Sequence, residues 1–315
     1  MARYIKNNEQ QDGVDRRGFL KCMAWAGTGV VWTVGAGGLL SACTLPGVAS
    51  APKVDGFSFV QISDSHIGFS ADGVSTDVTK TFQQVVDRIN RLPQRPSLVL
   101  HTGDLTHLTK PAQFDTVSQI MGTIKTDGTF YVPGEHDVIG DKGAAFGQRF
   151  LPKTPNQFWY SMDYKGVHFV ALHNAGAEDT FGSLGADQLT WLQKDLKAVN
   201  KDTPIVVFAH VPLYAVYPAW GWTTKDSAQA LALLKPFSSV TVLNGHIHQI
   251  LSQVEGNVTF HIADSTAFPQ HKPGDQGGPG AFKLPADQLM HSLGYRTVTV
   301  TPGNHELAVV DTTLA

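Results

Sequence analysis

The chain has 315 residues, 42% of them hydrophobic and 16% charged, with a net charge of −3. That length suits one large domain or two small ones, and the charge excludes a nucleic-acid-binding face, which needs clustered Lys and Arg. Thirteen histidines are the unusual count, and their positions carry the functional reading.

Residues 1–52 differ from the rest. After Asp15-Arg16-Arg17-Gly18-Phe19-Leu20-Lys21 no charge occurs until Lys53. A basic stretch followed by an apolar, Gly- and Ala-rich one is a targeting segment and not part of the fold. Arg16-Arg17 with Phe19-Leu20-Lys21 resembles a twin-arginine export signal, and Leu40-Ser41-Ala42-Cys43 resembles a lipobox. The bland alternative is a core helix, but five glycines between residues 27 and 38 weigh against it at about 1 kcal/mol each. A retained signal anchor is the other reading. Cleavage before Cys43 leaves a single, lipid-capped thiol, so the remaining domain, residues 53–315, has no disulfide. The expected location is the periplasm or the outer face of the membrane, lipid-anchored through Cys43.

From residue 56 short apolar runs alternate with amphipathic stretches. Segments 57–62, 97–100, 130–132, 167–172, 205–209 and 240–243 read as buried strands. Segments 77–92, 112–125, 186–199 and 225–234 have helical spacing. Segments 158–164 and 167–172, joined by Lys165-Gly166, predict a hairpin, and 258–262, 295–300 and 307–310 predict further strands. Residues 269–280 form a Gly- and Pro-rich loop. The pattern is α/β, two sheets packed together and flanked by helices.

Five of these strands end alike. The first runs into Asp64-Ser65-His66, the second into Gly103-Asp104, and the third into Gly134-Glu135-His136-Asp137. The strand 205–209 runs into His210, and 240–243 into Gly245-His246-Ile247-His248. In α/β sheets ligands sit beyond the carboxyl ends of strands. In extended chain, i and i+2 project to one side, so Asp64 with His66, and His246 with His248, can each aim two ligands at one point. Gly103, Gly134 and Gly245 let the backbone turn sharply. Any single ending is weak, since a lone histidine there is usually structural; five in this order form a strong joint signal.

This set resembles the calcineurin-like metallophosphoesterase family, whose motifs run Asp-x-His, Gly-Asp, Gly-Asn-His-Asp/Glu, a lone His, and Gly-His-x-His. The resemblance spans about residues 57–265. It implies a four-layered α/β/β/α sandwich, with Asp64, His66 and His248 on one metal, Glu135, His210 and His246 on the other, and Asp104 bridging. It also implies that His136 sits near the substrate phosphate, oriented by Asp137. Two metals about 3.5–4 Å apart can clamp the oxygens of an in-line displacement and hold a bridging hydroxide as nucleophile. Carboxylates and imidazoles suit iron, manganese or zinc. The implied activity is hydrolysis of a small phosphomonoester or phosphodiester, with His136-Asp137 protonating the leaving oxygen or stabilising phosphoryl charge.

The chain departs from the family at Glu135, where an anionic ligand replaces an amide. That charge tightens the second metal and favours a harder ion such as iron. It also motivates the alternative of a metal- or phosphate-binding protein with little turnover. A redox protein rests on the export signal alone. Gly303-Asn304-His305-Glu306 matches the family motif better but follows Gly-His-x-His, so it reads as a turn in a terminal hairpin. His101 and His168 read as satisfied core residues, His173 is ambiguous, and His107 is a candidate for facing substrate. Four large aromatics, Tyr214, Tyr217, Trp220 and Trp222, follow His210. They form either a loop packed on the helix layer or, the favoured reading, a pocket wall that stacks on an apolar part of the substrate.

Overall fold

The computed structural model describes residues 30–34, 40–44, 55–71, 77–177, 181–302 and 307–315. The chain forms two units, Met1–Ala51 and Pro52–Ala315. In the first, β1 (Val30–Val34) pairs antiparallel with β2 (Leu40–Thr44), placing Val31 opposite Cys43. Arg16 and Arg17 of the expected export signal lie outside the described residues.

The second unit opens with β3 (Phe57–Ile62), buried along its whole length. Phe57 and Phe59 face one apolar layer while Val60 and Ile62 face another, which is why the run is nearly all hydrophobic. Helix α1 (Val78–Ile89) starts where Asp77 accepts a hydrogen bond from Lys80 N, 3.0 Å. It buries Val78, Phe82, Val85, Val86 and Ile89 at helical spacing. The chain returns as β4 (Leu98–His101), crosses through α2 (Pro111–Met121), and returns again as β5 (Gly128–Tyr131); β3, β4 and β5 are parallel neighbours. Helix α3 (Ala144–Phe150) packs outside this sheet.

The second sheet begins with the hairpin of β6 (Tyr160–Tyr164) and β7 (Val167–Ala171). Its turn residues, Lys165 and Gly166, both have positive φ, 47° and 85°, as a tight two-residue hairpin turn demands. After α4 (Ala186–Lys197) comes β8 (Ile205–Phe208), and after α5 (Ser227–Leu234) comes β9 (Val240–Asn244), both parallel to β7. The strand β10 (Leu251–Glu255) then forms the edge, and β11 (Val258–Ile262) inserts between it and β9. Finally β12 (Gly294–Val300) and β13 (Ala308–Thr313) rejoin the first sheet antiparallel. The strand orders are β13-β12-β3-β4-β5 and β10-β11-β9-β8-β7-β6.

Three apolar layers hold this together, and they make the four-layered α/β/β/α sandwich expected from the sequence. Phe59, Leu100, Phe169, Phe208 and Val298 lie between the sheets, with Phe59 edge-on to Phe169 at 5.3 Å. Phe82, Val117 and Phe146 lie under the first helix layer, and Leu192 and Leu234 under the second. The sequence reading missed α3, which is short and interrupted by Gly147, and β10, whose exposed edge carries no apolar run. The Gly303–Glu306 turn lies outside the described residues. Among the described residues, no helix is long and apolar enough to cross a membrane.

Candidate metal centre

Beyond the carboxyl ends of β3, β4, β5, β8 and β9, all seven expected ligands come together. Asp64, His66 and His248 form one group, and Glu135, His210 and His246 another, each with its ligand atoms within 4.8 Å of one another. Asp104 stands between them: its Oδ2 is 3.4 Å from His66 Nε2 and 3.4 Å from His210 Nε2. In the first group His248 Nε2 lies 3.3 Å from Asp64 Oδ1 and 3.2 Å from His66 Nε2. In the second, Glu135 spans two imidazoles, with Oε1 2.8 Å from His246 Nδ1 and Oε2 2.9 Å from His210 Nε2.

The local backbone is unusual. Asp64, His66, Asp104, His246 and His248 all have positive φ, between 42° and 71°, a conformation costing a non-glycine residue about 1–3 kcal/mol. Pairing continued past the strand ends holds it in place: Asp64 N donates to Gly103 O at 3.0 Å and His66 N to Asp104 O at 2.9 Å. Convergence therefore does not come from extended i, i+2 geometry. His246 and His248 also do not share a point, since they serve different groups. Of the three glycines, only Gly103 (φ 99°) takes a sharp left-handed turn. Gly134 and Gly245 are needed for space, because a Cβ would overlap Asp104 Oδ1 at the first and Ser63 Oγ at the second.

The donor set fits metal ions. His210 Nδ1 donates to Thr102 O at 2.7 Å and His248 Nδ1 to Phe268 O at 2.6 Å, leaving each Nε2 with a bare lone pair turned to the centre. Glu135 Oε2, His210 Nε2 and His246 Nδ1 are buried and close, yet make no hydrogen bond of proper alignment. Such orphaned lone pairs need an explanation, and a shared cation supplies one. In the metal-free chain, burial would raise the Glu135 carboxyl, but His246 and His210 overcome it and hold it well below the usual range. Burial would likewise lower the His210 imidazole, but Asp104 and Glu135 raise it well above the ordinary value. His66, buried and facing His248, is held well below it. Glu135 and His210 thus favour their charged forms against each other in the metal-free chain, a balance that bound cations would replace.

His136 and Asp137 do not form the expected pair. The Asp137 carboxylate accepts from Leu105 N (2.9 Å), Thr106 N (2.8 Å), Thr106 Oγ1 (2.9 Å) and Gly134 N (3.1 Å), so it clamps two loops together. The His136 ring is oriented by a backbone group instead, its Nδ1 donating to His107 O at 2.8 Å. His107 also stacks on that ring, centroids 4.6 Å apart and planes 19° apart, and places its Nδ1 3.3 Å from His66 Nδ1.

A cavity of about 420 Å³ opens over the centre, reached by His66, Asp104, Glu135, His136 and His246. His107 lines it, as do Trp220 and Trp222. Tyr214 is instead buried against Phe260, so the aromatic segment divides between wall and core. Phe268, Gln270 and Gly280 also line the cavity and were missed by sequence reasoning; the Phe268 carbonyl orients His248, and the Gln270 amide donates to His246 O at 2.7 Å. His101 bonds Ser65 Oγ through Nε2 (3.1 Å), but its Nδ1 lacks a partner; burial lowers its pKa to about 3. His168 lies between Asp163 and Asp195, 2.8 and 2.9 Å away. His173 lines a separate cleft of about 360 Å³ with Lys142 and Gly176.

The profile of the calcineurin-like phosphoesterases matches residues 57–250. A 3',5'-cyclic-nucleotide phosphodiesterase of Nostoc sp. is 28% identical over 220 residues, covering 67% of this chain and 79% of the relative. The glycerophosphodiester phosphodiesterase GpdQ of Enterobacter lignolyticus is 26% identical over 224 residues, covering 68% and 78%. Among solved structures, a dimetal phosphatase of Danio rerio superposes with a TM-score of 0.55 at 15% identity, covering 82% of this chain and 99% of that one.

Proposed function

Because the chain belongs to the calcineurin-like phosphoesterase family, which makes it a metal-dependent phosphoric ester hydrolase, we propose that it hydrolyses small phosphodiesters at a two-metal centre. Asp64, His66 and His248 would hold one ion, Glu135, His210 and His246 the other, and Asp104 both. The observation that carries this reading is the position of Asp104 Oδ2, 3.4 Å from one imidazole of each group. When bound, the ions, iron, manganese or zinc by donor type, supply Lewis acidity and an activated water for in-line attack on phosphorus.

The chain's own groups do the rest. With Nδ1 committed to His107 O, the neutral His136 ring has a bare Nε2. It can give a proton to the departing alkoxide only as an imidazolium. Burial alone would lower its pKa, but Asp104 and Glu135 raise it above the ordinary value, favouring that form. Cations on the same carboxylates would counter part of this rise. Trp220 and Phe268 give an apolar ester group surfaces to stack on. Ala175 and Gly176 line both the Lys142 cleft and a small void of about 20 Å³ bordered by Glu135 and His246. The cavity of about 420 Å³ over the centre has room for both arms of a small diester.

The named activities of the Nostoc and Enterobacter relatives support the diester reading. Arg16-Arg17 and Leu40–Cys43 support placing the enzyme outside the cytoplasmic membrane, tethered by lipid at Cys43. The test is a panel of bis(4-nitrophenyl) phosphate, 4-nitrophenyl phosphate, a 3',5'-cyclic nucleotide and a glycerophosphodiester, with metal analysis of the same sample. Turnover of a diester in excess of the monoester is expected. Metal bound without turnover of any of the four would restore the binding-protein alternative.

A further inference from the structure

Each proposed metal group draws its ligands from both sheets. Asp64 and His66 follow β3 of the first sheet, and their partner His248 follows β9 of the second. Glu135 follows β5, and its partners His210 and His246 follow β8 and β9. The spacing of the centre is therefore the spacing and register of one sheet on the other. Between the sheets lies a layer of Phe, Leu and Val, and apolar attraction is non-directional, so it does not specify that register closely.

Two polar side chains interrupt this layer at its site end. Gln61 shares the inner face of β3 with Phe57 and Phe59, and Arg296 shares the inner face of β12 with Val298 and Val300. Both are fully buried. Arg296 donates to Gln61 Oε1 (3.1 Å), crosses to the second sheet at Ile262 O (2.9 Å), and pairs with Asp311 at 2.8 Å. Gln61 Nε2 crosses likewise to Asn244 O (2.9 Å) and also donates to Thr102 Oγ1 (3.1 Å).

These contacts end on the supports of the ligands. Thr102 O orients His210 at 2.7 Å, and the Thr102 hydroxyl donates to Ser63 Oγ at 2.7 Å, next to Asp64. Asn244 leads through Gly245 into His246, and its amide donates to Ala209 O (3.0 Å) and Val211 O (3.1 Å), on either side of His210. A buried guanidinium contributes little net stability, whereas directional bonds across an apolar layer specify one alignment.

We propose that Gln61 and Arg296 are positioning residues that set the register of the two sheets and, through it, the geometry of the metal centre. This rests on the two-metal reading of the site. The test compares Mn²⁺ affinity, by calorimetric titration of the metal-stripped full chain, with the thermal midpoint of the same proteins. Gln61→Met leaves Arg296 paired with Asp311 and Ile262 O. The double variant Gln61→Met/Arg296→Met removes the belt and leaves Asp311, one quarter exposed, without its cation. Val300→Ala thins the same layer at its far end, opposite Phe57, as a control for lost stability.

Both belt variants should bind Mn²⁺ about 10–100-fold more weakly, the usual effect of removing support behind metal ligands, with thermal midpoints no lower than that of Val300→Ala. Val300→Ala should lose thermal stability and keep its Mn²⁺ affinity. Belt variants within twofold of wild-type affinity would overturn the proposal, as would an equal loss in Val300→Ala. If the double variant does not fold, Gln61→Met alone decides. A wild-type chain that takes up no Mn²⁺ would instead overturn the metal centre, and the belt's role with it.

Discussion

Replacing Glu135 by Asn exchanges a carboxylate that touches two imidazoles for an amide with one acceptor oxygen. Glu135 Oε1 and Oε2 lie 2.8 Å from His246 Nδ1 and 2.9 Å from His210 Nε2. The amide must turn its NH₂ toward one of them, so a ligand atom is lost along with a unit of charge. Unit charges about 4 Å apart interact by about 4 kcal/mol at an effective dielectric near 20. Because the Glu135 side chain is 26% exposed, solvent screens part of this, and the retained oxygen recovers more. A net loss of about 1.5–3 kcal/mol is expected, or roughly tenfold to a hundredfold in affinity for one of two ions. Chelator titration should show that ion leaving earlier in Glu135→Asn than in wild type, the other unchanged. With metal in excess, diester turnover should be preserved or higher, because less ligand charge leaves the ions stronger Lewis acids. Equal metal retention together with a collapsed rate would refute this reasoning and give Glu135 a catalytic role.

His136→Ala should leave metal content intact and cut turnover by roughly 10²–10⁴-fold; the wild-type rate should fall on the alkaline side as the imidazolium loses its proton, and the variant should lack that limb. Loss of metal in this variant would mean His136 is a ligand. At His168, burial would lower the pKa, but Asp195 and Asp163 raise it above its ordinary value. Its contribution to stability is then fully present below the unfolded pKa of about 6.5 and lost as pH rises through the higher folded one. The difference in thermal midpoint between wild type and His168→Asn should accordingly be larger at acid than at alkaline pH, and the opposite trend would refute the assignment. Cys43→Ser should abolish lipid labelling, and substitution of Arg16 and Arg17 together should block export; a native protein that still begins at Met1 and partitions to membranes would mean a retained anchor.

The buried strands were legible because β3, β7, β8 and β9 are covered on both faces, which forces unbroken apolar runs such as Phe57–Ile62. Edge elements lack that pressure, so β10, with Val254 exposed, left no signal. The seven proposed ligands were legible because each is a titratable side chain at a strand end. What orients His210, His248 and the neighbouring His136 was not: Thr102 O, Phe268 O and His107 O are backbone groups that any residue carries. The same limit explains Asp137. Its place after His136 suggested a pair, while its actual partners are the Leu105, Thr106 and Gly134 main-chain amides and the Thr106 hydroxyl. Gln61 and Arg296 lie 235 positions apart, and only the packing of one sheet on the other brings them together.

One carboxylate, Asp104, is proposed to serve both metals, and its replacement tests the two-metal centre most directly. Metal analysis of the wild-type chain and Asp104→Ala, both loaded with Mn²⁺ and freed of excess, should give two ions per chain and no more than one, with diester turnover lost in the variant. Two ions retained by Asp104→Ala would contradict the bridging role and, with it, the two-metal centre as described.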